Sequence, residues 1–498
     1  MVVSKTLPII LFLFGVVASI FSPSPFVVII CFASLAGSFL LLWSPKDLPI
    51  LLLPICLQWL AVSIKPIQTF VLDTEIDLLT ERGAPLESAA IFGFLGLFCM
   101  AIGMYLGKAN RGQDTLSMIT AEARTWPPRL ILICSLLAIA LGHVLSATSM
   151  GFGPLRQVAH TMAGIQLAGL FTLTFWCLVN RVHYPLLIFV LVFETLSGMM
   201  GFFSSFKESL IVIAIAIVSA RPRLNMSALV AGGAIAALLM STMVFWTAVK
   251  SDYRVFITQG LAAEHGYRRA DVSIGDRLSY LGDKVSNFDQ EQYADGFARL
   301  SKRQSYIDFL AQTMQHMPEA EPHTGGAQTG EAIRHILMPR VLFPNKPAVA
   351  HDTEVTMKYT GLAFTSANIT SISIGYLGEF YADFGYGGAL ACMLIFGMII
   401  GRMYRFIMNY QNGSLLVNAA LAAMMMMPFI FFERALIKLI GATLIAFVAA
   451  LLLQRIAIPQ VLKILSRGHE TFRAFHVKGP QKKRAPSSRT HYPVGPGW

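Results

Sequence analysis

Apolar runs of membrane-crossing length, or close to it, recur along this chain with short polar connections between them. They cover residues 7–21, 25–43, 48–64, 89–107, 130–146, 161–179, 185–203, 209–220, 227–249, 388–401, 415–432 and 435–453. A helix needs about 20 apolar residues to cross a bilayer core, so each run predicts a transmembrane helix. The series is interrupted once, by a hydrophilic stretch over 250–386. The expected fold class is therefore an all-α polytopic membrane protein of 12 spans. A first bundle of nine spans occupies 1–249, a large loop 250–386, three last spans 387–453 and a basic tail 454–498.

Composition agrees with a membrane class. Hydrophobic residues make up 55% of the chain and charged residues 13%, with a mean hydropathy of +0.60, values outside the range of soluble domains. The cysteines Cys31, Cys56, Cys99, Cys134, Cys177 and Cys392 all fall inside apolar runs without paired spacing. They read as small buried hydrophobes, not as a disulfide framework or a zinc site. The first run follows a single Lys5 and lacks a small-x-small cleavage pattern, so it reads as a retained span.

Charge placement orients the series. The tail after Leu453 carries nine Lys/Arg against one acid, Glu470, and is expected in the cytoplasm. Counting back, the loops 108–129, 180–184, 221–225 and 402–414 share that side, and each is enriched in Lys or Arg. The acidic loop 65–88 and the large loop fall on the opposite side, with the amino terminus facing inward. The net charge of +11 is thus concentrated on one membrane face and calls for no nucleic acid. Apolar residues at helical spacing over 459–475 predict an amphipathic helix on the inner leaflet, followed by a polar, proline-rich end expected to be disordered.

Ionisable residues near membrane depth are costly, and three places gather them. The first is the hairpin 201–209, where Lys207 could face an anionic headgroup, snorkel, or pair with Glu208. The second is the run Met338–Pro347, whose prolines Pro339, Pro344 and Pro347 forbid continuous helix and stiffen the backbone carrying Arg340 and Lys346. Rigidly held cations suit phosphate or pyrophosphate, though a strap closing the loop on the bundle would look the same. The third is the run Ser371–Gly388. Read as helix, it puts Glu379 and Asp383 four apart on one face, with Tyr376 just before and Gly385, Gly387 and Gly388 breaking or kinking the element. Such carboxylates can act as a general base, and the aromatics can stack on sugars or form an interfacial belt. No metal-ligand cluster, phosphate-binding loop or GxSxG nucleophile motif occurs in a credible context, so no metal or cofactor is expected.

The topology, the MPRVLFPNKP run (Met338–Pro347) and the SIGYLGEFYADFGYGG run (Ser373–Gly388) resemble the oligosaccharide repeat-unit polymerases of the Wzy type. The paired arginine-x10-glycine signatures of some members do not occur in the large loop. The resemblance implies a GT-C-like fold in the bacterial inner membrane and a metal-independent glycosyltransferase. Such an enzyme extends O-antigen or exopolysaccharide on the periplasmic side, from undecaprenyl-pyrophosphate-linked oligosaccharide. It further implies a chain-length regulator and a flippase as partners, beside the lipid bilayer. On this reading Lys207, Arg254, Arg340 and Lys346 would stabilise the leaving pyrophosphate, and Glu379 or Asp383 would take the acceptor's proton. Tyr376 would contact substrate. Arg434 would join the cations or pair with Glu433. An O-antigen ligase, or a polysaccharide transporter, are the alternatives; internal repeats, which transporters commonly show, are not evident.

The alternation of charge makes one prediction on its own. Reporter fusions at Gly330 and Pro480 should report opposite compartments, and two signals from the same side would overturn the topology.

Overall fold

The computed structural model describes residues 3–108, 114–149, 151, 153, 156–200, 206–221, 226–258, 272–338, 342–343, 345–347, 351–364, 372–411 and 414–466. Among these residues the secondary structure is helical, with no strand. The first half contains α1 (Val3–Ile20), α2 (Pro25–Leu42), α3 (Leu52–Leu72), α4 (Leu86–Lys108), α5 (Thr115–Thr125) and α6 (Pro128–Thr148). It continues with α7 (Arg156–Met162), α8 (Ile165–Asn180), α9 (Tyr184–Met200), α10 (Phe206–Ala220) and α11 (Met226–Thr258). The hydrophilic stretch folds into α12 (Ile274–Ser286), α13 (Gln290–Gln304), α14 (Ile307–His316), α15 (Ala327–Leu337) and α16 (Asp352–Thr360). The last part is α17 (Gly375–Met408), α18 (Leu415–Met425), α19 (Leu436–Leu452) and α20 (Ile458–Ser466).

The chain is a helical membrane protein. Seven helical stretches among the described residues are long and apolar enough to cross a bilayer: Pro25–Leu42, Leu52–Leu72, Leu86–Lys108, Pro128–Thr148, Val158–Asn180, Gly375–Met408 and Leu436–Lys463. The other expected spans also fall on helices, and counting them as crossings belongs to the functional proposal below. Two boundaries differ from expectation. Helix α11 runs on to Thr258, and helix is already present from Gly375, before the break at Gly385 that opens the next apolar run. No proline stops the first junction, and helix already satisfies the backbone on leaving the apolar layer. The run 415–432 is not one helix. It breaks after Met425 into a short turn, Met427–Ile430, where Pro428 lacks an N–H.

Packing centres on α4 and α17. A Cβ on Gly103 would lie 2.0 Å from the Leu394 carbonyl oxygen, and one on Gly107 2.2 Å from that of Met398. Reciprocally, Gly397 would meet the Met100 oxygen at 2.2 Å and Gly401 that of Met104 at 2.4 Å. Two small-xxx-small faces therefore interlock backbone to backbone, the close approach that drives helix association where lipid removes the hydrophobic drive. After Gly385 residue numbers rise together along both helices, so that part of α17 runs parallel to α4; before it Tyr381 meets Phe92 and Tyr376 meets Met100, so residues 375–384 run the opposite way.

The connections gather at two ends of this bundle. At one end Lys108 Nζ lies 2.6 Å from Asp47 Oδ2, and Arg221 donates to the carbonyls of Ser44 (2.6 Å) and Asp47 (2.9 Å). There too Asn180 donates to Ala123 O at 3.2 Å, and the buried Glu122 accepts from Leu416 N at 3.2 Å. At the other end Lys65 donates to Leu79 O at 2.8 Å and lies 3.7 Å from Asp308 of α14. Gln312 of α14 donates to Arg82 O at 2.8 Å beside it. The helical loop is thus seated on the end of the bundle formed by α3, α4 and the start of α17.

The α4–α17 contact predicts that Gly397→Leu, which forces a side chain into a carbonyl, lowers stability by about 1–3 kcal/mol or abolishes folding. Gly387→Ala on the same helix meets nothing within 4 Å and should be neutral. Thermal unfolding of the detergent-solubilised variants checks this, and equal melting temperatures for both would contradict it.

Candidate functional site

The run Ser373–Gly388 forms the first part of α17, and its two carboxylates each seize the start of another helix. Asp383 Oδ1 accepts from Gln328 N at 3.0 Å, and Oδ2 accepts from Thr329 N at 2.7 Å and from the Thr329 hydroxyl at 2.5 Å. The Thr324 hydroxyl also donates to Oδ1. These are the orphan amides at the N-terminus of α15, where a negative charge also meets the helix dipole. Thr324 N and Gly325 N donate to the carbonyls of Ala382 and Asp383 at 3.0 and 2.9 Å, completing the seam. One turn earlier, Glu379 Oε1 accepts from Leu436 N at 3.1 Å, at the N-terminus of α19. Four-residue spacing on one helical face places both caps on the same side of α17.

The other signature run holds the opposite end of α15. Lys346 Nζ donates to the carbonyls of His335 (2.5 Å) and Met338 (2.9 Å), the acceptors a helix leaves open at its C-terminus. Lys346 is therefore a strap on α15. Its neighbour Arg340 lies outside the described residues, as do Pro339 and Pro344.

A small, solvent-open cleft lies under α15. Gln328 and Glu331 line it from α15, Asp352 from α16, Glu379 from α17, and Ala435 and Ile437 from the start of α19. Lys438 at the rim is paired to Asp352. Arg434 sits one residue before Ala435, with its guanidinium 5.3 Å from the Phe431 ring centroid. Burial pulls Arg434 below the usual arginine range, while the charges of Glu208 and Glu433 oppose that pull. The cleft therefore carries carboxylates and an amide inside, the usual partners of sugar hydroxyls, with Lys438 paired to one of those carboxylates.

The sequence-expected residues divide accordingly. Asp383 is 1% exposed and each of its oxygens accepts from two donors, so it serves as a cap. Glu379 keeps an oxygen beyond its Leu436 contact and lines the cleft. Tyr376 is fully buried, and its hydroxyl donates to Gln58 Oε1 at 2.5 Å, so it faces the core and not a substrate. Gln58 in turn donates to Phe429 O at 2.6 Å, satisfying the carbonyl next to the Pro428 break. Gly385 does kink α17, with φ 66° and ψ −167°. Lys207, half-buried in the first turn of α10, stands beside Glu208, the carboxylate whose field reaches Arg434. Arg254 is on α11, among α12 and α13, and lines no wall of the cleft.

Sequence reasoning missed Asp352 and Lys438, which carry no local motif and meet only through the fold. It also missed Glu194 on α9, 1% exposed. Glu194 takes His143 Nε2 of α6 at 2.8 Å, Ser209 Oγ of α10 at 3.1 Å and the Gln166 amide of α8. Four helices are tied through one buried carboxylate, and a lone acid in an apolar run was the available signal. Among the described residues no cluster of three or more His, Cys, Asp or Glu could hold a metal ion.

The double capping of α15 predicts its dynamics. Asp383→Ala leaves buried amides unpaired at a cost of about 1–3 kcal/mol. Amide hydrogen exchange over 327–337 should accelerate in Asp383→Ala from the N-terminal end and in Lys346→Met from the C-terminal end. Exposed Glu319→Ala should change nothing, and unaltered exchange in both cap variants would contradict the assignment.

Residues 92–459 match the model of a family described as a domain of unknown function (DUF8712). No curated protein and no solved structure matches the chain. The family match takes in α17, α15, the cleft and the α4–α17 contact, and it spans more than half of the sequence. The chain therefore belongs to the DUF8712 family.

Proposed function

We propose that this protein is a glycosyltransferase that joins polyprenyl-pyrophosphate-linked oligosaccharide units at the membrane surface, with its cleft on the periplasmic side of a bacterial inner membrane. In this reading all 12 apolar runs are crossings, both termini face the cytoplasm, and the polymer is O-antigen or exopolysaccharide. One observation carries the proposal. Both signature runs of the resemblance converge on α15, the helix that roofs a cleft with carboxylates inside and Lys438 paired to one of them. The gathering of the alternate loops at two ends of the bundle supports the sidedness.

The chemistry is a displacement. The acceptor hydroxyl attacks the anomeric carbon of the donor, the carbon–oxygen bond to pyrophosphate breaks, and its electron pair leaves on the phosphate oxygen. Glu379 takes the hydroxyl proton, and Gln328 and Glu331 hold neighbouring hydroxyls. Arg434 and Lys438, joined by Arg340 and Lys207, meet the negative charge that grows on the leaving group. Preset cations at a developing charge commonly supply the largest part of such a rate enhancement. Asp383, Lys346 and Tyr376 act on the scaffold, and Arg254 takes no part.

Purified protein in liposomes with undecaprenyl-pyrophosphate-linked repeat units should yield a ladder of lengthening glycans. Glu379→Gln and Arg434→Ala should each lower the rate by about 10²-fold or more, the range for a lost general base or a lost charge-stabilising donor. Their melting temperatures should stay near that of the parent. No ladder from the parent chain would overturn the function, and full activity in a variant would remove that residue from the mechanism.

A further inference from the structure

Helix α12 presents an apolar face that, apart from Leu281 at its edge, no other part of the described chain covers. Ile274, Leu278 and Val285 are 63%, 47% and 60% exposed, and none of the helix's residues is fully buried. With Leu281 they fall within an arc of roughly 60° at 100° per residue, a single stripe along the helix. Asp276, Arg277, Asp283 and Lys284 lie off that stripe, so the helix is amphipathic with balanced charge.

The way α12 is anchored shows where the helix sits. One edge is fastened to the end of α11. Tyr280 stacks on Phe256 with ring centroids 4.3 Å apart, and Lys284 Nζ lies 3.8 Å from Asp252. The helix also touches α9. Val255 of α11, next to Phe256, is 60% exposed, an apolar side chain at the same level. α12 is thus fastened to the end of a membrane helix, at the level where α11 leaves the bilayer.

We propose that α12 is an interfacial helix that lies in the leaflet on the large-loop side, its Ile274–Val285 stripe sunk among acyl chains and its charged face in the headgroups. A water-facing position would leave three large apolar side chains exposed in one row. A seat at the interface removes them from water without a protein partner. Balanced charge fits a helix that inserts by its apolar face instead of by attraction to anionic lipid. The proposal is independent of the enzymatic reading.

Spin labels test it in the full-length chain, with the native cysteines replaced by alanine. Labels at 278, 285 and 283 are compared in nanodiscs of phosphatidylethanolamine and phosphatidylglycerol, using collisions with oxygen and with a water-soluble nickel chelate. Labels at 278 and 285 should meet oxygen several-fold more readily than nickel, and the label at 283 should show the reverse. Equal nickel access at all three sites would place α12 in water and overturn the proposal. Exclusion of both reagents at 278 and 285, with dipolar broadening between labels, would put a second copy of the chain on the stripe and overturn it as well.

Discussion

The carboxylate of Asp383 at the start of α15 is the contact on which the outer architecture depends. A helix lying across the end of a membrane bundle has bare amides at one end and bare carbonyls at the other, and neither can be left buried without partners. Here both ends are met by side chains from elsewhere, Asp383 at the first and Lys346 at the second. Glu379, one turn before Asp383, does for α19 what Asp383 does for α15. A single stretch of α17 therefore fixes the roof of the cleft and one of its walls.

That stretch is itself held from below. The interlocked glycines of α4 and α17 leave no freedom for one helix to slide without carbonyl clashes along the other. Above them, Tyr376 and Gln58 support the break at Pro428, which in turn sets where Arg434 and α19 begin. A broken helix at membrane depth is tolerable when a neighbour meets its freed backbone, and the Gln58 amide does this at Phe429. Rigid packing thus passes from the lipid-embedded core to the rim of the cleft through a chain of named contacts.

Much of the fold could be read from the apolar runs, because a residue buried in lipid or in a bundle must be apolar whatever its partner. The site was only half legible. In the described structure the run Ser373–Gly388 lies against the bundle and Lys346 of the other run holds α15, and the residues of both were easier to find than to interpret. Asp383 and Lys346 have the composition of catalytic or phosphate-binding groups, and only their hydrogen bonds mark them as caps. Tyr376 carries an aromatic ring suited to a sugar, yet the helical face that bears it turns inward. Gly103, Gly107, Gly397 and Gly401 were invisible among 39 glycines, since a small residue reveals its use only when the opposing backbone is in view. Asp352, Lys438 and the His143–Glu194 pair depend on helices far apart in sequence, which no local spacing announces.

The central claim is that both signature runs exist to hold α15 over a cleft that takes a lipid-linked sugar. The most direct measurement is a cryo-EM reconstruction of the protein in nanodiscs with an undecaprenyl-pyrophosphate-linked oligosaccharide bound. The account predicts glycan density beneath α15, against Gln328, Glu331 and Glu379, with the pyrophosphate toward Arg434 and Lys438. Glycan density elsewhere on the bundle, with the cleft beneath α15 empty, would contradict it.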